Sequence, residues 1–98
     1  MQTCYLAVDI GASSGRHIIG TVEHGVMALH EVYRFENRLI EKNGHLCWDM
    51  EGLVQNVIEG LKAAHDAGYT PTTVGIDPWA VDFLLLDADG TPIGDPIA

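Results

Sequence analysis

An aspartate sits near the end of an apolar run, Tyr5-Leu6-Ala7-Val8-Asp9-Ile10, and the chain then breaks into Gly11-Ala12-Ser13-Ser14-Gly15-Arg16 before resuming as His17-Ile18-Ile19. Small residues in succession let backbone N–H groups converge on an anion, and serine hydroxyls add further donors, so the break has the make-up of a phosphate cradle. The same residues are what a plain hairpin turn uses, and composition does not separate the two. Asp9 is the odd member. Burying a carboxylate in an apolar strand is costly unless a cation or hydrogen-bond donors compensate it, and a hydrated Mg2+ ion bridging to nucleotide phosphates would do so.

Neither common phosphate-loop pattern fits. A Walker A loop needs Gly-Lys-Ser/Thr, whereas Gly15 precedes Arg16, and the dinucleotide fingerprint needs glycines where Ala12 to Ser14 stand. Both patterns also lead into a helix, while here a strand follows, so any phosphate would rest against a hairpin. The histidines His17, His24, His30, His45 and His65 form no HExxH or i, i+4 pair and read as surface or sheet residues. Cys4 and Cys47 lack CxxC spacing and read as reduced, small apolar side chains.

The elements that must position these groups follow from periodicity. Cys4 to Ile10, His17 to Glu23 and Val26 to Glu36 are rich in β-branched and apolar residues, with Gly25 marking a tight turn, and predict a three-stranded antiparallel meander. The first strand, apolar almost throughout, reads as the centre of a sheet covered on both faces. The pattern lapses from Asn37 to Trp48, with a turn signal at Asn43-Gly44. Asp49 then stands as an N-cap, and Leu53, Val54, Val57, Ile58, Leu61 and Ala64 trace one helical face that ends at Gly68. Val74-Gly75-Ile76-Asp77 echoes the first strand's ending, and its helical connection predicts pairing parallel to that strand. Phe83 to Leu86 predicts a last strand, turned by Asp89-Gly90.

The 98 residues bound the answer further. A chain of this size buries only about 60 to 65 per cent of its unfolded surface, so its core is thin. One helix cannot protect two faces of a sheet, which predicts a piece of a larger fold, with self-association through the uncovered sheet as a further expectation. Fourteen acidic against five basic residues, a formal net charge of -9, argue against nucleic acid as a partner. A small nucleotide is compatible, since backbone N–H groups and a divalent cation supply positive field locally. No segment reads as a signal peptide or approaches the roughly 20 apolar residues of a membrane helix, so the expectation is a cytoplasmic chain without a membrane partner.

Asp9-Ile10-Gly11-Ala12-Ser13-Ser14-Gly15-Arg16 resembles the first phosphate motif of the FGGY carbohydrate kinases. A second stretch, Asn43-Gly44 through Trp48-Asp49 and then Val74-Gly75-Ile76-Asp77-Pro78-Trp79-Ala80-Val81-Asp82-Phe83, resembles the sugar-side segment of members acting on L-rhamnulose. Together the matches span nearly the whole chain. The resemblance implies an α/β, ribonuclease-H-like (actin-like ATPase) half-domain: a three-stranded antiparallel meander, one helix, one parallel strand and a short hairpin. Residues 1-98 would be an incomplete N-terminal ATPase-like domain of a sugar kinase.

The resemblance also implies ATP and Mg2+ as cofactors and L-rhamnulose as substrate. It gives Ala12, Ser13, Ser14, Gly15 and Arg16 to the ATP phosphates and Asp9 to the metal, through water. Asp77, Trp79, Ala80 and Asp82 would line the sugar pocket, where an indole suits a sugar's C–H face and carboxylates accept from hydroxyls. Members sharing this segment read Gly-Ile-Asp-Thr-Trp-Gly-Val-Asp-Phe, so Pro78 and Ala80 depart from it. If the replaced glycine needs positive φ, Ala80 costs roughly 1 kcal/mol or more. The family's aspartate general base has no counterpart among these residues, so no catalytic residue is named, and the chain alone is expected to be inactive. Three other readings stay open: another FGGY sugar kinase, a nuclease holding two metals on Asp9 and Asp77, and a non-catalytic half-domain.

Overall fold

A computed structural model describes residues 3–98 of the chain. Strands β1 (Cys4–Ile10), β2 (Ser14–Glu23) and β3 (Val26–Glu36) form the expected antiparallel meander. β6 (Val74–Asp77) adds to β1 in parallel, giving the order β3-β2-β1-β6. Helix α1 (Met50–Asp66) connects the meander to β6 and packs against β2 and β3.

Period-two alternation decides which side chains meet α1. Cys4, Leu6, Val8 and Ile10 of β1 are buried, and their cross-strand partners Thr21, Ile19, His17 and Gly15 share that face. A bulge in the β2–β3 pairing at His17/Ile18 keeps Tyr33 and Phe35 of β3 on the same side. From the helix, Leu53 and Val57 pack against Val8, Ile10 and Phe35, while Ala64 closes on Cys4, Leu6 and Ile19. The Asp49 side chain accepts from the Gly52 N–H at 3.1 Å, so the N-cap stands as read. At the other end Gly68 takes φ +94° and its N–H donates to the His65 carbonyl.

Three expectations are corrected. First, Asn37 to Trp48 is not irregular. It contains a hairpin of β4 (Leu39–Lys42) and β5 (His45–Trp48), turned by Asn43 and Gly44, both at positive φ. Residues 95–98 lie alongside it: the Trp48 N–H donates to the Pro96 carbonyl and the Ala98 N–H to the Leu46 carbonyl. Second, β1 is covered on one face only. Tyr5, Ala7 and Asp9 point to an open face that no element among the described residues covers, and β6 is exposed along its length. On α1, Val54, Ile58 and Leu61 likewise remain in contact with solvent, so the predicted apolar stripe is wider than the one buried. Third, the last predicted strand is shorter, with only Leu85–Leu86 (β7) pairing with Pro92–Ile93 (β8). No helix among the described residues is long and apolar enough to cross a membrane.

His17 departs furthest from its sequence reading. It lies in the sheet, but fully buried, with its ring edge-on to Tyr33. Its Nε2 lies 3.0 Å from the Val57 carbonyl and its Nδ1 is buried without a partner. Gly60 passes directly beneath the ring, and a β-carbon there would overlap it. Burial lowers the pKa of His17 below the usual imidazole range, opposed by the hydrogen bond to Val57. His17 therefore docks α1 as a neutral ring.

Candidate functional site

Because β1 and β6 run parallel, their carboxyl ends fall together. Asp9 and Asp77 are direct neighbours in register, and the segments that follow, 11–13 and 78–82, leave the sheet at the same end. In open sheets with parallel strands this is where ligands bind, since loops and backbone groups converge there. The two motifs, separated by more than sixty positions in sequence, are thus brought to one edge of the fold.

The break itself is a tight reversal in which the Gly11 N–H donates to the Ser14 carbonyl at 2.8 Å. Asn37, just beyond β3, holds it from one side. Its backbone N–H donates to the Ser13 carbonyl and its Nδ2 to the Gly11 carbonyl, each at 3.0 Å. With those carbonyls tied to Asn37, the N–H groups of Ala12 and Ser13 find no acceptor among the described residues, and both residues are exposed. Unpartnered adjacent N–H groups at an exposed turn can receive an anion. Asn37 is a site residue that sequence reasoning missed. An asparagine just after a strand reads as a generic loop residue, and nothing local shows that it reaches 26 positions back.

The remaining cradle residues divide. Ser14 already begins β2, and its hydroxyl accepts from the Arg16 guanidinium at 3.1 Å. Gly15 is buried in the sheet, and the ring of Phe35 occupies the space a β-carbon would need. Glycine is thus required there by packing, whatever else the position does. Arg16 faces the open side of the sheet beside Asp9, with Nη1 3.5 Å from Oδ2, and its Nε has no partner. The premise that Asp9 is buried is corrected: its side chain is 53% exposed and paired with a cation. No group of three or more His, Cys, Asp or Glu side chains among the described residues could by itself enclose a metal ion.

On the other side, Asp77 and Ala80 are exposed and Trp79 is half-buried against the Val8, Ile10 and Phe35 cluster. Asp82 does not point freely outward. Its Oδ2 accepts from the indole N–H of Trp48 at 2.8 Å and from that of Trp79 at 2.9 Å, and the two rings lie 4.4 Å apart. Beside them is a shallow, largely apolar cavity of about 170 Å³, lined by both indoles, Met50, Leu53, Pro78 and Phe83, among others. Left-handed backbone, foreseen as a hazard at Ala80, occurs instead at Val81, with φ +71°. A further hollow, about 470 Å³, lies between the end of β3 and the start of α1, and none of the predicted site residues lines it.

Over all 98 residues the chain is 50% identical to the rhamnulokinase of Oceanobacillus iheyensis. In sequence, this chain is similar to part of the rhamnulokinases. It is also 50% identical over 93 residues to the rhamnulokinase of Halalkalibacterium halodurans and 40% identical over 94 residues to that of Bacillus subtilis, covering 95% and 96% of this chain. It spans about a fifth of the length of these curated relatives, 21%, 20% and 19% respectively. No family model matches the chain. Among solved structures, a gluconate kinase from Lactobacillus acidophilus superposes with a TM-score of 0.75 over 99% of this chain and 20% of its own, at 13% identity. That likeness shows the fold: the α/β, actin-like ATPase kind that the FGGY resemblance implied, with the β4–β5 hairpin added to the expected elements.

Proposed function

We propose that this chain forms the phosphate cradle and one wall of the sugar site of an ATP-dependent kinase that converts L-rhamnulose to L-rhamnulose 1-phosphate in the cytoplasm. The observation that carries the reading is the meeting of the two motifs at the carboxyl ends of β1 and β6, in a chain 50% identical to a rhamnulokinase. Ala12 and Ser13 offer unpartnered backbone N–H groups, Ser14 a hydroxyl, and Arg16 a part-exposed guanidinium. Gly15 contributes by letting Phe35 pack beneath the cradle. These donors suit the terminal phosphates of ATP.

Mg2+ fits this site only in its usual manner with nucleotides, keeping its waters and touching few carboxylates. Asp9 is placed to hold it, since its carboxylate is accessible and lies beside the cradle, with Asp77 its neighbour on the next strand. The ion would neutralise charge on the transferred phosphoryl group. Arg16 shares Asp9 in this structure, so metal and guanidinium draw on the same carboxylate. Trp79, Ala80 and Asp77 would form the sugar side. No residue of this chain is proposed as the general base, so its contribution to catalysis is positioning and charge stabilisation.

Titration of the isotopically labelled chain with Mg-ATP tests the cradle. The amide signals of Ala12 and Ser13 should move saturably, and Asn37→Ala should weaken binding about tenfold by releasing one cradle carbonyl, roughly one hydrogen bond's worth. Amides at 12 and 13 that stay still while signals elsewhere move would refute this assignment.

A further inference from the structure

The indole N–H groups of Trp48 and Trp79 converge on a single oxygen of Asp82, at 2.8 and 2.9 Å. A carboxylate oxygen that accepts two N–H donors has its accessible lone pairs engaged, and a charge-assisted pair of this kind holds geometry firmly. Trp48 ends β5 on the β4–β5 hairpin, whereas Trp79 and Asp82 belong to the segment after β6. The contact therefore joins two parts of the chain 34 positions apart. It also fixes the rings at 4.4 Å and shapes the apolar cavity beside them. Val81, between Ala80 and Asp82, is held at φ +71° and is 92% exposed. A β-branched residue in that conformation, with no packing of its own to hold it there, implies that its neighbours impose the shape.

We propose that Asp82 is a positioning residue: through Oδ2 it clamps Trp48 and Trp79 so that residues 78–82 present a preformed wall to the sugar. Trp48, at the end of β5, thereby becomes part of the wall. The sugar half of this statement rests on the proposed function; the clamp does not.

Trp48 and Trp79 are the chain's two tryptophans, so indole signals report the clamp directly. In the unsubstituted chain both indole N–H protons should exchange with solvent at least about tenfold more slowly than a free indole. Exchange of either one at the free rate overturns the clamp without recourse to any variant. In Asp82→Ala, both protons should lose protection together and the exciton signal of the paired rings should collapse, with the helix signal of α1 retained. Asp82→Asn, whose amide oxygen still accepts, should keep most of each. Loss of only one proton's protection in Asp82→Ala contradicts the shared-oxygen geometry.

The sugar arm titrates the same proteins with L-rhamnulose and follows the indole signals. Asp82→Ala should weaken binding about tenfold, and Trp48→Phe added to it should weaken it little further, because both remove one interaction. Full additivity, or loss in Asp82→Asn as large as in Asp82→Ala, would mark Asp82 as a direct sugar ligand and overturn the proposal. An unsubstituted chain with protected indoles that binds no ketose would overturn the wall's sugar role and the proposed substrate side together, leaving the clamp established by exchange.

Discussion

Replacing Gly60 by alanine sets two physical effects against each other, and the structure decides the sign. Gly60 lies inside α1, where alanine is favoured over glycine by about 1 kcal/mol on helix propensity. Sequence alone therefore predicts stabilisation. In the structure, however, the added β-carbon would overlap the His17 ring, which is fully buried against Tyr33 and Phe35. Overpacking of this kind costs about 1 to 3 kcal/mol. Displacing the ring also breaks its hydrogen bond to the Val57 carbonyl, and leaving that buried pair unmade costs about 1 to 3 kcal/mol more. The net expectation is destabilisation by about 1 to 5 kcal/mol, centred on about 3, a fall in melting temperature of about 10 °C or more at that centre for a domain this size. Thermal unfolding followed by circular dichroism measures it. In a His17→Ala background the clash is absent, so Gly60→Ala should there become neutral or stabilising, a coupling of about 2 to 3 kcal/mol. A raised melting temperature for Gly60→Ala alone would refute the account of how α1 docks.

Burial keeps His17 neutral in the fold, so its pKa lies below the ordinary value of about 6.5 that the unfolded chain retains. Stability is then fully present above that pH and falls as pH drops from there toward the native value, because the unfolded chain takes up a proton the native site refuses. The urea midpoint should be lower at about pH 5.5 than at about pH 7.5, and His17→Gln should shrink the difference. Val81→Gly should stabilise by about 1 kcal/mol by relieving left-handed backbone at an exposed β-branched residue. Ala80→Gly, where φ is not positive, should give no such gain; the opposite order in melting temperature would misplace the strain. Asp9→Asn removes a half-exposed ion pair and should change stability by less than about 1 kcal/mol. The same substitution should abolish the Mg2+ dependence of nucleotide binding measured by calorimetry.

What the sequence made legible were the features carried by local pattern. The Asp49 cap, the apolar rhythm from Leu53 to Ala64 and Gly68 bound α1 almost to the residue, and the helical connection implied that Val74–Asp77 would lie parallel to β1. The β4–β5 hairpin escaped because its strands are four residues each and part of their order comes from residues 95–98. His17 escaped because its role is defined by Gly60 and Val57, some forty positions away, and a histidine between Arg16 and Ile18 carries no mark of burial. The cradle residues were named as a group but not ranked: only the fold separates Ala12 and Ser13, with free N–H groups, from Gly15, which packing requires. Asp82 was read as a carboxylate among sugar contacts, and only the approach of Trp48 from another part of the chain reveals its two donors.

The open face of β1 and the exposed length of β6 bear on how such a site would work. Tyr5, Val74 and Ile76 are about half exposed, a large apolar area for so short a chain. The cradle and the sugar-side segment stand at the edge of this surface, so whatever covers it would lie directly against both.

The central claim is that these residues form working parts of an L-rhamnulose kinase, and exchanging them into a relative tests it most directly. The chain would replace the matching fifth of the Oceanobacillus iheyensis rhamnulokinase, and ATP-dependent phosphorylation would be measured over a panel of ketoses, with folding checked by thermal unfolding. The account predicts a folded chimera that phosphorylates L-rhamnulose in preference to the other ketoses and loses that activity on Asp9→Asn. A folded chimera that favours another ketose, or transfers no phosphoryl group at all, would contradict it.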